Sequence, residues 1–521
     1  MSWALLGAGL LLELGLLAVA SASAPLSESR GFRDAFGREL PLVAGAFAAL
    51  RPALVAPNVL LVSGLAVSSV AYVAAIAVVR VSANRWTVLG LSLVYVLTLL
   101  LMPGLLSTDL LTYATYGRLA AVHGLNPYLA SPSAAPGDPL VQWLDTRPEH
   151  ASPYGPVWTT LSVGLAWLTL GLDPLVHALG YRVLGALAHL AGTALVWRFA
   201  PRDLILFTWN PLLLIEGVGS GHNDGPMMVL ALAGVLLLTK QAARPGLFVL
   251  TVASLVKYVP ALVVLYFLVC QRRWLWTAAG LLALSVVLWL PWFDDREAGA
   301  LLASLSAGGE RYVNALVDLP TAWLATHVVD RAGQNIPAAE AAIRFWPRLI
   351  LRLLFVLYVA LEAVWLYRAT QPQPMGRDAP PAALPGSTDG PTAPAVSSAP
   401  TWRPALEAGV RSYLVFLLLV STQVLSWYFV WPVVLAAALG WGSTLARIAV
   451  AYSVLYLPVF YAIHEDLVQA TAPWLIGYAF LPVIAFRVPR WRGPPTRPTS
   501  EATAAPIARG TRNAERGTPS V

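Results

Sequence analysis

The sequence predicts an all-α polytopic membrane protein, and three observations lead there. Of its 521 residues 57% are hydrophobic and only 12% charged, and the mean hydropathy is +0.66, whereas a soluble domain carries about 25% charged residues. The apolar residues come in runs, many close to the roughly 20 residues a helix needs to cross a bilayer. The few charges fall mostly between those runs. A single cysteine, Cys270, excludes an internal disulfide framework and any multi-cysteine metal site. The net charge of +7 arises largely from a tail that holds seven Arg from Arg487 onward against Glu501 and Glu515. Such a tail beside a last span reads as a cytoplasmic end, so no nucleic-acid partner is expected.

Taken in order, the chain divides into N-terminal membrane segments (1–85), a membrane core (86–370), a linker (371–404), C-terminal membrane helices (405–487) and a basic tail (488–521). Roughly 11–14 transmembrane or re-entrant helices are expected in all. Trp3 to Ala20 ends in small residues that imitate a cleavage site, but it lacks a positive n-region and Glu13 interrupts it; an uncleaved span is expected. Pro41 to Val55 contains Arg51 and Pro52 and reads as interfacial, whereas Asn58 to Val79 is a full span. Arg80 and Arg85 bracket a cytoplasmic turn. Trp86 to Leu106 then runs outward and delivers Asp109 to the external face.

Parity settles the middle of the chain. Val157 to Leu172, Val176 to Phe199 and Leu204 to Val218 separate Asp109 from Asp224, and Lys240 and Arg244 place Asp224 outside with Asp109. Three full crossings cannot join two points on one face, so one of the three must re-enter or lie along the interface, and Val157 to Leu172 is chosen because Val176 to Phe199 then carries Arg198 and Arg202 to the cytoplasm. Gly246 to Cys270 is expected to be two short segments meeting at Lys257-Tyr258-Val259-Pro260, which returns Arg272 and Arg273 to the cytoplasm. Trp274 to Trp292 leads outward to a loop whose Tyr312, Asn314 and Trp323 could shape an acceptor groove. After Phe345 to Tyr367, nine prolines in Gln371 to Pro404 mark a flexible linker that cannot bury enough apolar surface to fold. The last helices turn through Ser426 to Pro432, place His464-Glu465-Asp466 outside and leave both termini cytoplasmic.

The organising stretch is Ser107 to Tyr128, STDLLTYATYGRLAAVHGLNPY, in which an acid follows directly on a membrane span. Ionisable residues at membrane depth are expensive and mark candidate functional sites; the alternative is that Asp109 only ends a helix. This stretch resembles the first extracytoplasmic loop of the polytopic GT-C glycosyltransferases, and is closest to the bacterial polyprenyl-phosphate-mannose-dependent mannosyltransferases. Further stretches are similar in the same order: Ser152-Pro153-Tyr154-Gly155-Pro156, Trp209-Asn210-Pro211, Gly221-His222-Asn223-Asp224, Lys257-Tyr258-Val259-Pro260 and Trp427-Tyr428. The resemblance covers roughly Trp86 to Arg487. It implies an inverting hexosyltransferase of the bacterial cell membrane, with a polyprenyl-phosphate sugar donor, a glycan or glycolipid acceptor and Asp109 as catalytic acid of the first loop.

Sugar transfer from a lipid phosphate needs a base for the acceptor hydroxyl, a cation or amide cluster for the departing phosphate, and a groove for the lipid chain. A carboxylate is a weak base, but an oxocarbenium-like transition state lets the hydroxyl lose its proton late, so Asp109 suffices. Lys257 is the candidate for the phosphate, with Arg118 as second choice and a snorkelling lysine as the alternative. Tyr113, Asn126, Tyr154, His222, Asn223, Asp224, Trp427 and Tyr428 complete the candidate substrate-binding set. Trp427 and Tyr428 could equally belong to an interfacial aromatic belt. Asp109 and Asp224, with His222, could hold Mg²⁺ or Mn²⁺, while Asp224 shortly before Pro226 also fits a helix N-cap. The rival class is a transporter or flippase of sugars or lipid-linked glycans; the absence of an internal repeat weighs against it.

Overall fold

The computed structural model describes residues 3–79, 85–144, 149–240, 242–271, 273–293, 337–370, 402–421, 423–468 and 480–486. The expected acceptor loop with Tyr312, Asn314 and Trp323, most of the proline-rich linker, and the basic tail lie outside the described residues. Among the described residues the regular structure is helical. The first helices are α1 (Trp3–Ser23), α2 (Arg30–Glu39), α3 (Pro41–Ala49), α4 (Pro57–Val79), α5 (Arg85–Leu100), α6 (Asp109–Ala121) and the short α7 (Pro139–Gln142). There follow α8 (Pro156–Leu168), α9 (Pro174–Phe199), α10 (Ile205–Thr208), α11 (Pro211–Leu214), α12 (Asp224–Thr239), α13 (Ala243–Ser254), α14 (Ala261–Val269) and α15 (Trp274–Trp289). The last are α16 (Pro337–Thr370), α17 (Trp402–Val415), α18 (Val430–Leu439) and α19 (Thr444–His464).

Among the described residues six helical stretches are long and apolar enough to cross a bilayer: Trp3–Ser23, Pro57–Val79, Pro174–Phe199, Trp274–Trp292, Phe345–Thr370 and Thr444–His464. Pro211–Gly219 and Asp224–Thr239, bent by 116° at their junction, make a seventh if counted as one broken span. The chain is therefore an all-α polytopic membrane protein. Helix α8, at 13 residues, is only about 20 Å long and cannot cross. Directly after it, the Thr169 hydroxyl lies 2.7 Å from Nδ1 of His177, near the start of α9. The segment around Lys257 is broken as expected, with α13 ending at Ser254 and α14 starting at Ala261.

Side-chain contacts define the two ends of the bundle. At one end, Arg85 stacks on Trp197 at 5.7 Å, Phe199 packs on Trp402, and the Asp203 carboxylate accepts the Trp441 N–H at 3.0 Å. At the other end, Glu28 meets both the Thr108 N–H at 3.0 Å and His464 at 3.3 Å, and Asn58 reaches the Glu465 carbonyl. Asp109 belongs to this second end.

The breaks are tolerated because their freed polar groups find partners inside the protein. At Trp209-Asn210-Pro211 the indole donates to the Val88 carbonyl at 2.9 Å. Asn210 donates to Ser453 at 2.8 Å and accepts from the Leu212 N–H at 3.0 Å. Small residues let helices close on one another in the manner of membrane helix pairs. A Cβ on Gly15 of α1 would stand 2.7 Å from the Gly64 carbonyl of α4, while one on Gly7 would meet nothing within 4 Å. Gly15→Val should therefore lower stability by roughly 1–3 kcal/mol through overpacking, and Gly7→Val should leave it near wild type. Thermal unfolding of the two variants in the same detergent checks this, and equal melting temperatures would remove the α1–α4 contact from the account.

Candidate active site

Asp109 is the first residue of α6, and the loop before it is tied down strand by strand. Gly104 N–H donates to Ser23 Oγ at 3.0 Å, Leu105 N–H to Ser27 Oγ at 3.1 Å, and Asp109 N–H to Ser107 Oγ at 3.2 Å. Arg182 of α9, which is completely buried, donates to the Met102 and Gly104 carbonyls and lies over the Phe32 ring at 5.1 Å. A carboxylate in a helix's first turn also gains from the exposed N–H groups there. The Asp109 side chain keeps 33% of its surface exposed, so this anchored acid remains reachable.

Opposite Asp109 the chain bends between Gly219 and Asp224. A π-turn over Ile215–Gly219 carries Glu216, and Gly221, at φ +69°, takes the left-handed conformation that reverses the backbone. His222 is pinned by its own N–H to the Glu216 carbonyl at 3.1 Å. Its ring stacks on Trp427 at 4.0 Å between centroids. Nδ1 stands 3.2 Å from Asp109 and Nε2 stands 3.4 Å from Glu216. Glu216 in turn accepts from Ser426 and from the Tyr461 hydroxyl at 3.2 Å.

A second charged group lies beside the first. Lys257 donates to both oxygens of Asp224 at 3.0 Å and sits 4.9 Å from the Tyr428 ring centre and 5.7 Å from that of Trp431. Trp431 donates its indole N–H to Asp224 at 2.5 Å. Burial pushes the Asp109 carboxyl up, yet His222, the Lys257 charge and the Tyr113 hydroxyl together hold it below the ordinary carboxylate value. The acid is thus ionised at neutral pH.

The structure brings most of the candidate residues together. Tyr113 donates to Asp109 at 3.3 Å, and Tyr154 packs edge-on against Tyr113 at 4.9 Å. Asn223 is buried, and neither of its amide atoms has a hydrogen-bond partner among the described residues. Trp427 and Tyr428 face into this cluster, the one on His222 and the other on Trp431 at 4.6 Å. Two residues lie elsewhere. Arg118 is bound to Asp138 at 2.8 Å, and Asn126 spans its own loop, donating to the Trp292 carbonyl at 3.0 Å and accepting from the Tyr128 N–H.

Asp224 is not an N-cap: Asn223 holds that position without a side-chain bond, and the Asp224 carboxylate is drawn instead to Lys257. Nor do Asp109, Asp224 and His222 converge on a point where Mg²⁺ or Mn²⁺ would sit. An ammonium occupies both Asp224 oxygens, His222 is wedged between carboxylates, and no group of three metal-ligating side chains occurs among the described residues. These residues do not fit a divalent cation. Sequence reading passed over Glu216, Arg182, Glu28, Ser426, Trp431 and Tyr461. The one usable signal was an acid, Glu216, inside an apolar run.

This is an all-helical membrane protein with a cluster of paired ionisable groups gathered at one end of its bundle. The chain belongs to the alpha-(1->6)-mannopyranosyltransferase family, whose N-terminal domain description matches residues 13–276. It is 29% identical over 235 residues to alpha-(1->6)-mannopyranosyltransferase A of Mycobacterium tuberculosis (strain ATCC 25618 / H37Rv), a match covering 43% of each chain. It is 30% identical over 154 residues to alpha-(1->6)-mannopyranosyltransferase Rv1459c of the same organism, covering 27% of this chain and 25% of that one. The matches thus span less than half the length of either relative. No solved structure matches the chain.

The loop that carries Asn126 is held by a buried charge. Asp138, 1% exposed, binds Arg118 at 2.8 Å and His123 at 2.9 Å and caps α7 through the Leu140 N–H at 3.0 Å. Burial pushes its carboxyl up, but His123 and Arg118 more than offset this and hold it below the ordinary value. A carboxyl depressed on folding stabilises above its unfolded value and loses that contribution as pH falls through the folded one. Asp138→Asn keeps the cap and removes the charge. It should cost about 1–3 kcal/mol at neutral pH, with the gap to wild type closing below about pH 4. Thermal unfolding across that pH range checks it, and a pH-independent gap would show that the ion pair contributes nothing.

Proposed function

We propose that the chain is an inverting mannosyltransferase that moves mannose from a polyprenyl-phosphate donor to a glycan or glycolipid acceptor, with Asp109 as general base. The observation that carries this reading is one ionised, solvent-reachable carboxylate held on an anchored loop, in a chain of the alpha-(1->6)-mannopyranosyltransferase family. Asp109 accepts the acceptor hydroxyl's proton as its oxygen attacks the anomeric carbon, and the sugar–phosphate bond breaks on the opposite face. Charge then gathers on the leaving phosphate. Lys257, with 20% of its side chain exposed, offers the ammonium for that charge, shared with Asp224.

Sidedness follows from charge. Arg85, Arg198, Arg202 and Arg447 belong to the end opposite Asp109, and a basic end reads as cytoplasmic. We place the reaction at the extracytoplasmic face of a bacterial inner membrane, and this charge asymmetry supports the side. For the donor's isoprenoid chain, an apolar groove of about 510 Å³ opens between α8, α9 and α15, lined by Val157, Leu161, Gly164, Leu165, Leu184 and Leu288. It begins at Pro156, two residues from Tyr154, so the chain would run outward from beside the catalytic loop.

Two experiments test the reading. Asp109→Asn keeps size and removes both charge and proton acceptor, so transfer of labelled mannose from polyprenyl phosphate should fall roughly 10²–10⁴-fold while folding and donor binding persist. Near-normal turnover would take Asp109 out of the mechanism. Gly164 has open space around the position of a Cβ, so Gly164→Phe should fill the groove without disturbing the fold. It should raise the KM for a long-chain donor about tenfold or more, a loss of about 1.4 kcal/mol, and spare a short-chain analogue. Equal effects on both donors would place the lipid elsewhere.

A further inference from the structure

Glu216 is completely buried and has no place in the transfer chemistry above, yet it faces His222 from the side opposite Asp109. We propose that Glu216 is a positioning residue that keeps His222 as an imidazolium between two carboxylates, so that the positive partner of Asp109 is built into the fold. The inference rests on Asp109 as the base only for its effect on turnover, not for the state of the histidine.

The geometry carries the argument. An imidazole ring that presents one nitrogen to each of two carboxylates, at 3.2 and 3.4 Å, satisfies both only when both nitrogens bear hydrogen. Both contacts are ion-pair distances outside hydrogen-bonding geometry, and neither nitrogen has a hydrogen-bond partner among the described residues. The ring is fully buried and fixed by the Trp427 stack and by its backbone bond to Glu216, so rotation does not offer a neutral alternative. Glu216 is itself fixed, since its other oxygen accepts from Ser426 and Tyr461. The remaining charged or titratable groups that face this line are Tyr113 from α6, Asp224 from α12, Lys257 from the break between α13 and α14, and Glu28 beside Thr108. A π-turn sets the position of Glu216, and such turns recur at functional sites.

The consequence is electrostatic. A donor phosphate must approach a site that already holds the Asp109 carboxylate, and like charges at close range in a low dielectric repel strongly. A permanent imidazolium against Asp109 offsets that repulsion without using the carboxylate's free face. Without Glu216 the buried imidazole would keep only Asp109 as a counter-charge, and burial would then favour loss of its second proton.

Ring-¹⁵N-labelled histidine in the full chain, in lipid nanodiscs, reads the state directly, with the signal assigned by its loss in His222→Gln. Wild type should show both His222 ring nitrogens protonated from about pH 6 to 8, and Glu216→Gln should turn neutral within that range. A neutral His222 in wild type at pH 7, or an imidazolium surviving at pH 8 in Glu216→Gln, would overturn the proposal. Turnover gives the second readout. Wild type should be flat over this range, whereas Glu216→Gln should lose donor affinity roughly tenfold as pH rises. Glu216→Asp, which keeps the charge, should stay flat even if slower. A loss in Glu216→Gln that does not vary with pH would mean that Glu216 only braces Ser426 and Tyr461, and the proposal would be wrong. The wild-type spectrum decides even if a variant does not fold, and it stands whether or not Asp109→Asn retains activity.

Discussion

Charges in a low-dielectric interior must be paired, and that requirement arranges the whole upper end of this bundle. Asp224 faces Lys257, Asp109 and Glu216 share His222, and Arg182 turns its charge onto two backbone carbonyls. Apart from Glu216 and His222, which share one bend, each pairing joins elements far apart in sequence. The bend between Gly219 and Asp224 can exist in a membrane segment only because its acids and imidazole meet partners carried by α6, by the break before α14 and by the turn before α18. Removing one partner would strand the other, a larger penalty than the pair's own net worth.

Aromatic rings supply the second layer of order. His222 lies flat on Trp427, and Tyr428 lies flat on Trp431, so a single turn over 427–431 seats both charged groups at once. Tyr113 is enclosed by Tyr154, Trp158 and Tyr181, which leaves its hydroxyl little freedom except toward Asp109. Rings lose few rotamers on burial, so they fix these groups at modest entropic cost.

Much of this was legible in the residues. The apolar runs and the Arg distribution gave the membrane helices; parity required one of three runs not to cross and a break near Lys257, and the structure makes α8 the short one. Asp109, His222, Asp224, Lys257 and Trp427 were recognised from local motifs, because their chemistry is rare in apolar surroundings. Glu216 was hidden in Leu204 to Val218, where a π-turn shifts the register of side chains in a way that hydropathy does not report. Arg182 was equally invisible, as one cation in a 26-residue span whose partners are carbonyls 80 residues earlier. Arg118 and Asn126 sit in the same motif as Asp109, but sequence adjacency does not say which way a helix surface turns. Arg118 points to Asp138, 20 residues on.

The late position of residues 426–464 has a consequence for biosynthesis. Glu216 waits for Ser426 and Tyr461, His222 for Trp427, Asp224 for Trp431 and Glu28 for His464. A chain emerging from the ribosome has therefore inserted its acids and imidazole long before the groups that complete their surroundings have been made. During that interval these polar side chains lack the partners that later enclose them. Thr444–His464 brings Tyr461 to Glu216 and His464 to Glu28, so a product cut short before it would leave both acids short of a partner, at a cost that buried polar groups always carry.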